Sequence, residues 1–113
     1  MYPLSEPPSA PRDLKVTKVD GDHMTLAWKP PSSDGGAPIR RFIIEQRTPE
    51  ETEYRPIGKV DGKTCQYEVE GLQVGSAYEF RVKAENPAGP SESGAELKKP
   101  VVAKYPFGKE HEN

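Results

Sequence analysis

Hydrophobic positions along this chain recur at every second residue, and no segment holds the 3.6-residue spacing of a helix. Residues 23–29 set Met24, Leu26 and Trp28 on one side against Thr25, Ala27 and Lys29 on the other, as a strand with one buried face requires. The longest instance opposes Tyr78, Phe80, Val82 and Ala84 to Glu79, Arg81, Lys83 and Glu85, an apolar face against a charged one. Alternation this regular predicts antiparallel sheet. Further strands are predicted over 13–19 (Leu14, Val16), 41–47 (Phe42, Ile44), 54–60 (Ile57) and 65–70 (Tyr67, Val69), with a weak last one at 94–98. Clusters of turn residues separate them, including Asp20-Gly21, the run from Pro30 through Gly36, Asp61-Gly62, the stretch 71–75, and Asn86-Pro87-Ala88-Gly89-Pro90. Seven short strands in about 100 residues predict a seven-stranded antiparallel β-sandwich, whose two apolar faces cover each other.

Length and composition narrow the picture. The chain has 113 residues, room for one domain and its flanks. Apolar residues are only 33%, with 13 prolines and 10 glycines, so the core is small and the turns are many. The 16 Lys+Arg nearly balance the 18 Asp+Glu, and without clustered positive charge a nucleic-acid footprint is not expected. No apolar run reaches the roughly 18 residues of a membrane helix, and the first six residues hold neither a basic nor an apolar leader segment. One cysteine forms no internal disulfide and no N-x-S/T sequon occurs, which favours a reducing, intracellular home. The termini read as linkers. Residues 1–8 are a proline-rich N-terminal spacer, 9–100 the domain, and 101–113 a C-terminal tail. Tyr2-Pro3-Leu4 and Tyr105-Pro106-Phe107 form a weak repeat across one sandwich length, as linkers of a tandem array would.

Candidate chemistry is sparse. A nucleophilic triad would need Cys65 beside His23 or His111, yet His23 opens a strand, His111 lies in the tail, and Cys65 starts a strand alternation as a small core residue. Glu110-His111-Glu112 has neither the ligand count nor the rigidity of a structural zinc site. Asp34-Gly35-Gly36 lacks the Lys-Ser/Thr of a phosphate loop and serves as a turn. Arg12-Asp13-Leu14 is not Arg-Gly-Asp. Pro8-Ser9-Ala10-Pro11 fits the PxxP pattern bound by SH3 domains, but such matches arise readily in proline-rich linkers and the segment reads as a spacer. No enzyme activity, metal or cofactor is expected.

These residues resemble a known family. The stretch from Pro8 to Pro100 looks like a fibronectin type III domain: a proline-rich opening before the first strand, Trp28 at the core tryptophan position, and Leu72, Gly75 and Tyr78 leading into Phe80, Val82 and Ala84. The resemblance implies a tyrosine corner in which the Tyr78 hydroxyl bonds backbone in the 71–75 connection. Trp28-Lys29-Pro30-Pro31, Asp34-Gly35-Gly36-Ala37-Pro38-Ile39 and Ala84-Glu85-Asn86-Pro87-Ala88-Gly89-Pro90-Ser91 are similar to domains of giant muscle proteins of the titin, twitchin and projectin type. That likeness implies a non-catalytic module of a cytoplasmic, sarcomeric filament protein, monomeric in isolation. Its partners would be neighbouring immunoglobulin or type III domains and thick-filament proteins such as myosin. The alternative is a type III domain of a cell-surface receptor or adhesion protein.

Strand parity adds an expectation about geometry. Strands alternate in direction, so loops after even-numbered strands return to the pole where the chain enters. The loop 30–38 and the loop 86–90 therefore belong at the N-terminal pole, beside the proline-rich segment. Asp34, Gly35, Gly36, Pro38, Asn86, Pro87, Gly89 and Pro90 are the candidate contacts for a neighbouring domain or partner, because they are small, nearly uncharged and cheap to desolvate. The charged strand faces are expected to be solvated.

Overall fold

The computed structural model describes residues 4–106. All its regular structure is β: β1 (Arg12–Asp20), β2 (His23–Lys29), β3 (Arg41–Arg47), β4 (Arg55–Asp61), β5 (Gln66–Val69), β6 (Ala77–Asn86), β7 (Gly89–Pro90), β8 (Ala95–Glu96) and β9 (Val101–Val102). One antiparallel sheet runs in the order β1-β2-β5. The other runs β4-β3-β6-β7, and β8 and β9 also pair with β6. The two form the expected sandwich. Its core draws Met24, Leu26 and Trp28 from β2, Phe42 and Ile44 from β3, Val69 from β5, and Tyr78, Phe80, Val82 and Ala84 from β6, with Leu72 from the connection before β6. Each strand contributes alternate residues because the pleat turns successive side chains to opposite faces.

The regular strands lie where alternation is strict: β6 is buried at every second position along its length. β1 is less regular. Its pairing with β2 breaks register between Arg12 and Lys15, where Asp13 adopts a φ of 55°, and again between Val16 and Lys18. Such bulges bend an edge strand and make it a poorer template for pairing with another chain. Tyr67 closes the opposite edge of the sandwich: its hydroxyl donates to the Ile57 carbonyl at 3.3 Å, and its ring fills the space a side chain at residue 58 would take, so a larger residue than Gly58 would have to displace it.

Of the expected last strand at 94–98 only Ala95–Glu96 pairs, and two further two-residue pieces, β7 and β9, flank it. β7, β8 and β9 each pair with a different part of β6: Glu85↔Pro90, Val82↔Ala95 and Tyr78↔Val101. Between β7 and β8 the buried Ser91 stands in for a ladder rung, its hydroxyl accepting the Ala84 N–H at 3.1 Å while its own N–H donates to the Ala84 carbonyl at 2.7 Å.

At both termini, backbone bonds reach past the expected domain bounds. The C-terminal tail expected from residue 101 is part of the fold through Lys104: Val101–Val102 pairs with β6, and Ala103 is fully buried. Ala103 N–H donates to Ser76 O at 2.9 Å, Gly75 N–H to Ala103 O at 2.7 Å, and Gly21 N–H to Lys104 O at 2.9 Å, while the Tyr105 ring packs on Gly21. The N-terminal spacer is likewise folded in from Glu6, as set out below. Tyr2, Pro3 and Phe107 of the Tyr-Pro recurrence, and Glu110, His111 and Glu112, lie outside the described residues.

Candidate functional site

The N-terminal pole is organised around Asn86, the last residue of β6 and only 1% exposed. Its Nδ2 donates to the carbonyls of Glu6 and Asp34, each at 2.7 Å, and its Oδ1 accepts the Ala88 N–H at 2.8 Å. A buried amide with both donors and its oxygen engaged contributes stability, where a half-satisfied one would lose it. One side chain thereby joins the N-terminal segment, the 30–38 loop and the 86–90 loop. Parity places these loops together; the amide that binds them is what pattern cannot reveal.

The segment 6–11 is seated along the 30–38 loop. Glu6 N–H donates to Gly35 O at 2.9 Å and Ser9 N–H to Ser33 O at 3.0 Å. The Ser9 hydroxyl accepts the Ser33 N–H at 3.1 Å. Pro7 and Pro8 bring no N–H groups that would need partners, and Pro8 and Pro11 are buried. Gly35 has a φ of 77° and lies so close to the Glu6 and Pro7 carbonyls that a methyl group there would collide with the Glu6 oxygen. The chain's own N-terminal segment thus takes the close approach that glycine permits at Gly35. Gly36 and Gly89 keep open space around them. Asp34, Gly36, Pro38, Pro87, Ala88 and Pro90 are exposed at this pole, and Leu4 is 90% exposed. The Asp34 carboxylate accepts the Gly36 N–H at 2.9 Å and fixes the turn. Sequence reasoning missed Glu6, Ser9 and Ser33; the only trace they leave is a polar residue on either side of Pro7-Pro8 and a serine pair in the loop.

At the opposite end of β6, Tyr78 is 8% exposed and its hydroxyl accepts the Gln73 N–H at 2.8 Å. The hydroxyl therefore satisfies a backbone donor in the 71–75 connection. Tyr78→Phe removes that acceptor while keeping ring volume, and is expected to destabilise by about 1–3 kcal/mol in urea denaturation. A neutral substitution would show that water replaces the hydroxyl without loss.

The charged face of the second sheet is paired within itself. Arg41 meets Glu85 at 2.8 Å, Arg47 meets Glu79 at 2.7 Å, and Arg81 meets Glu45 at 2.6 Å. The Tyr54 ring lies between the Arg47 and Arg81 guanidiniums, 4.3 and 4.4 Å from their central carbons. The hydrogen bond that Arg47 donates to the Glu79 carboxylate holds its guanidinium protonated even more firmly than usual, and burial pushes the Tyr54 phenol up. A partner using these charges would have to break charge-assisted bonds that already exist.

The residues weighed for catalysis are kept apart. Cys65 accepts the Trp28 N–H through its carbonyl at one end of β2, whereas His23 begins the other end. Burial pushes the Cys65 thiol up, away from the reactive thiolate. His23 sits between Asp22 at 2.8 Å and Glu68 at 3.8 Å, and the Asp22 hydrogen bond raises its pKa. Among the described residues no group of three His, Cys, Asp or Glu side chains is placed to hold a metal ion.

Two antiparallel sheets split in this way, with a tyrosine bonding the connection that crosses between them, define a β-sandwich module of immunoglobulin-like topology. The family model for the fibronectin type III domain matches residues 9–99, and the chain belongs to that family. Among curated relatives it is 36% identical over 89 residues to a titin homolog of Caenorhabditis elegans, covering 79% of this chain and a share of that protein that rounds to 0%. It is 35% identical over 82 residues to human Myomesin-2, covering 73% of this chain and 6% of that protein. Among solved structures, a titin fragment superposes with a TM-score of 0.80 at 32% identity over 88% of this chain and 33% of the fragment. The C. elegans twitchin kinase region gives 0.82 at 30% identity over 96% of this chain and 18% of that one. The chain thus spans less than a tenth of the curated relatives it matches.

Proposed function

We propose that this chain is a non-catalytic structural and protein-interaction module of a tandem array in a cytoplasmic, sarcomeric filament protein, and that its N-terminal pole is the surface on which the preceding domain packs. The observation that carries the second point is the Asn86 amide, which joins the incoming chain to both loops of that pole. A segment seated in this way acts as a continuation of the domain, so the direction in which the preceding domain leaves is set by the fold. Exposed Leu4, Pro87, Ala88 and Gly36 offer a small surface of low charge for that neighbour. Support for the filament reading comes from likeness to titin-like proteins and to myomesin. A relative named Myosin-binding protein C, 30% identical over 104 residues, makes myosin the thick-filament partner to try first.

The experiment is NMR relaxation on a two-domain protein that includes the preceding domain. The pair is expected to tumble as a partly rigid rod, with interface coupling of about 1 kcal/mol, and Asn86→Ala is expected to loosen it. Independent tumbling, with unchanged shifts at residues 34–37 and 86–89, would discard the packing surface. A parent chain in which type III and immunoglobulin domains alternate would favour the muscle reading over the adhesion-receptor one.

A further inference from the structure

The N-terminal segment carries a ligand pattern that the folded state hides. Pro8-Ser9-Ala10-Pro11 has the PxxP spacing taken by aromatic-lined grooves that bind polyproline helices, and Arg12 follows with a guanidinium suited to a carboxylate at the groove's end. The fold takes up both prolines and ties down Ser9 and Arg12. Both prolines of the pattern are buried. Ser9 is bound through its N–H and hydroxyl to the Ser33 backbone, and Arg12 Nε donates to the Pro30 carbonyl at 2.8 Å. A groove of that type packs against both prolines at once, so it has no access while the segment is seated.

The seating is separable from the sandwich. Ladder pairing of β1 begins only at Arg12↔Lys29, so residues 6–11 belong to neither sheet. They are held by the Glu6, Ser9 and Asn86 hydrogen bonds and by burial of two proline rings. Segments fixed by so few bonds open locally, without global unfolding. We propose that residues 8–12 are a masked ligand for an SH3-type domain, uncovered when the N-terminal segment lifts from the 30–38 loop. In an array, tension on the N-terminal side would load Glu6 and its Asn86 bond before any strand. That trigger rests on the tandem reading above, but the masking does not.

The masking is tested on the chain alone. A free peptide of residues 5–15 is applied to an array of purified SH3 domains, and its best binder is then titrated into the isotope-labelled chain. Gly35→Ala is the releasing variant, because its methyl group displaces the Glu6 carbonyl; Asn86→Ala is the second. The peptide is expected to bind, the intact chain to bind at least about 10-fold more weakly because the competent state is a minor one, and Gly35→Ala to recover most of the difference, with shifts centred on residues 8–12. A Ser9→Cys/Ser33→Cys bridge, made in a Cys65→Ser background, is expected to abolish the residual binding until reductant is added. The proposal is overturned if no SH3 domain in the array takes the peptide or if the intact chain binds as tightly as the peptide. It is equally overturned if folded Gly35→Ala and Asn86→Ala both stay as weak as the intact chain, or if the bridge leaves residual binding unchanged. Domain tumbling decides the tandem reading separately.

Discussion

Trp28→Ala is expected to cost the domain about 3–5 kcal/mol, the range for deleting a large buried aromatic and leaving a cavity behind it. Trp28 is 5% exposed and lies in the layer between the sheets, edge-on to Phe42 with ring centroids 5.5 Å apart. Its neighbours belong to strands fixed by long ladders, so they have little freedom to collapse into the vacated space. Total stability of a small domain is about 5–15 kcal/mol, and the variant would keep only a fraction of it. One detail separates packing from hydrogen bonding: Trp28 Nε1 is buried with no partner among the described residues. Trp28→Phe removes that unpaired donor while keeping most of the ring, and is expected to lose markedly less than the alanine variant. Urea denaturation followed by circular dichroism reads both, since the only tryptophan is gone in each. A loss below about 1 kcal/mol for Trp28→Ala would place the indole outside the energetic core.

How far the fold could be read beforehand depends on where its information resides. β2, β3 and β6 each bury alternate residues along their whole length, so a period of two is written directly into Met24, Leu26 and Trp28, Phe42 and Ile44, or Tyr78 through Ala84. β1 shows this only faintly, because an edge strand with two register breaks needs no strict face. The β7–β9 region is the opposite case. Gly89, Pro90 and Ser91 have no strand propensity to speak of, and their conformation is imposed by the unpaired edge of β6. The contacts of the terminal segments have the same origin. Prolines 7, 8 and 11 obey a local rule for spacers, but burial of Pro8 and Pro11 follows from a loop 20 or more residues away in sequence, as the Ser9–Ser33 bonds show. The candidate site was legible at the level of topology: parity puts Asp34 and Asn86 at one pole. The Asn86 amide geometry depends on distances that no single-sequence pattern encodes.

Cutting the chain after Pro100 is expected to cost about 2–4 kcal/mol relative to a cut after Pro106, from several backbone hydrogen bonds worth about 1 kcal/mol each and the lost burial of Ala103. The segment removed holds the C-terminal pole together. Val101 and Val102 pair with Tyr78 and Ala77, Ala103 bridges to Ser76 and Gly75, and Lys104 accepts the Gly21 N–H from the turn between β1 and β2. Ordering these residues carries an entropic cost, so the net effect is smaller than the bond inventory suggests. The loss should concentrate where the bonds are: amide hydrogen exchange at Gly21, Gly75 and Tyr78 should rise most, and β2–β3 amides least. Equal urea midpoints for the two chains would return residues 101–106 to the status of a linker. The unequal result carries a functional consequence. The outgoing chain would then leave the sandwich already hydrogen-bonded to β6, the strand whose far end holds Asn86 and the incoming segment. The incoming and outgoing segments of a tandem module would thus both be tied to one ten-residue strand, at its opposite ends.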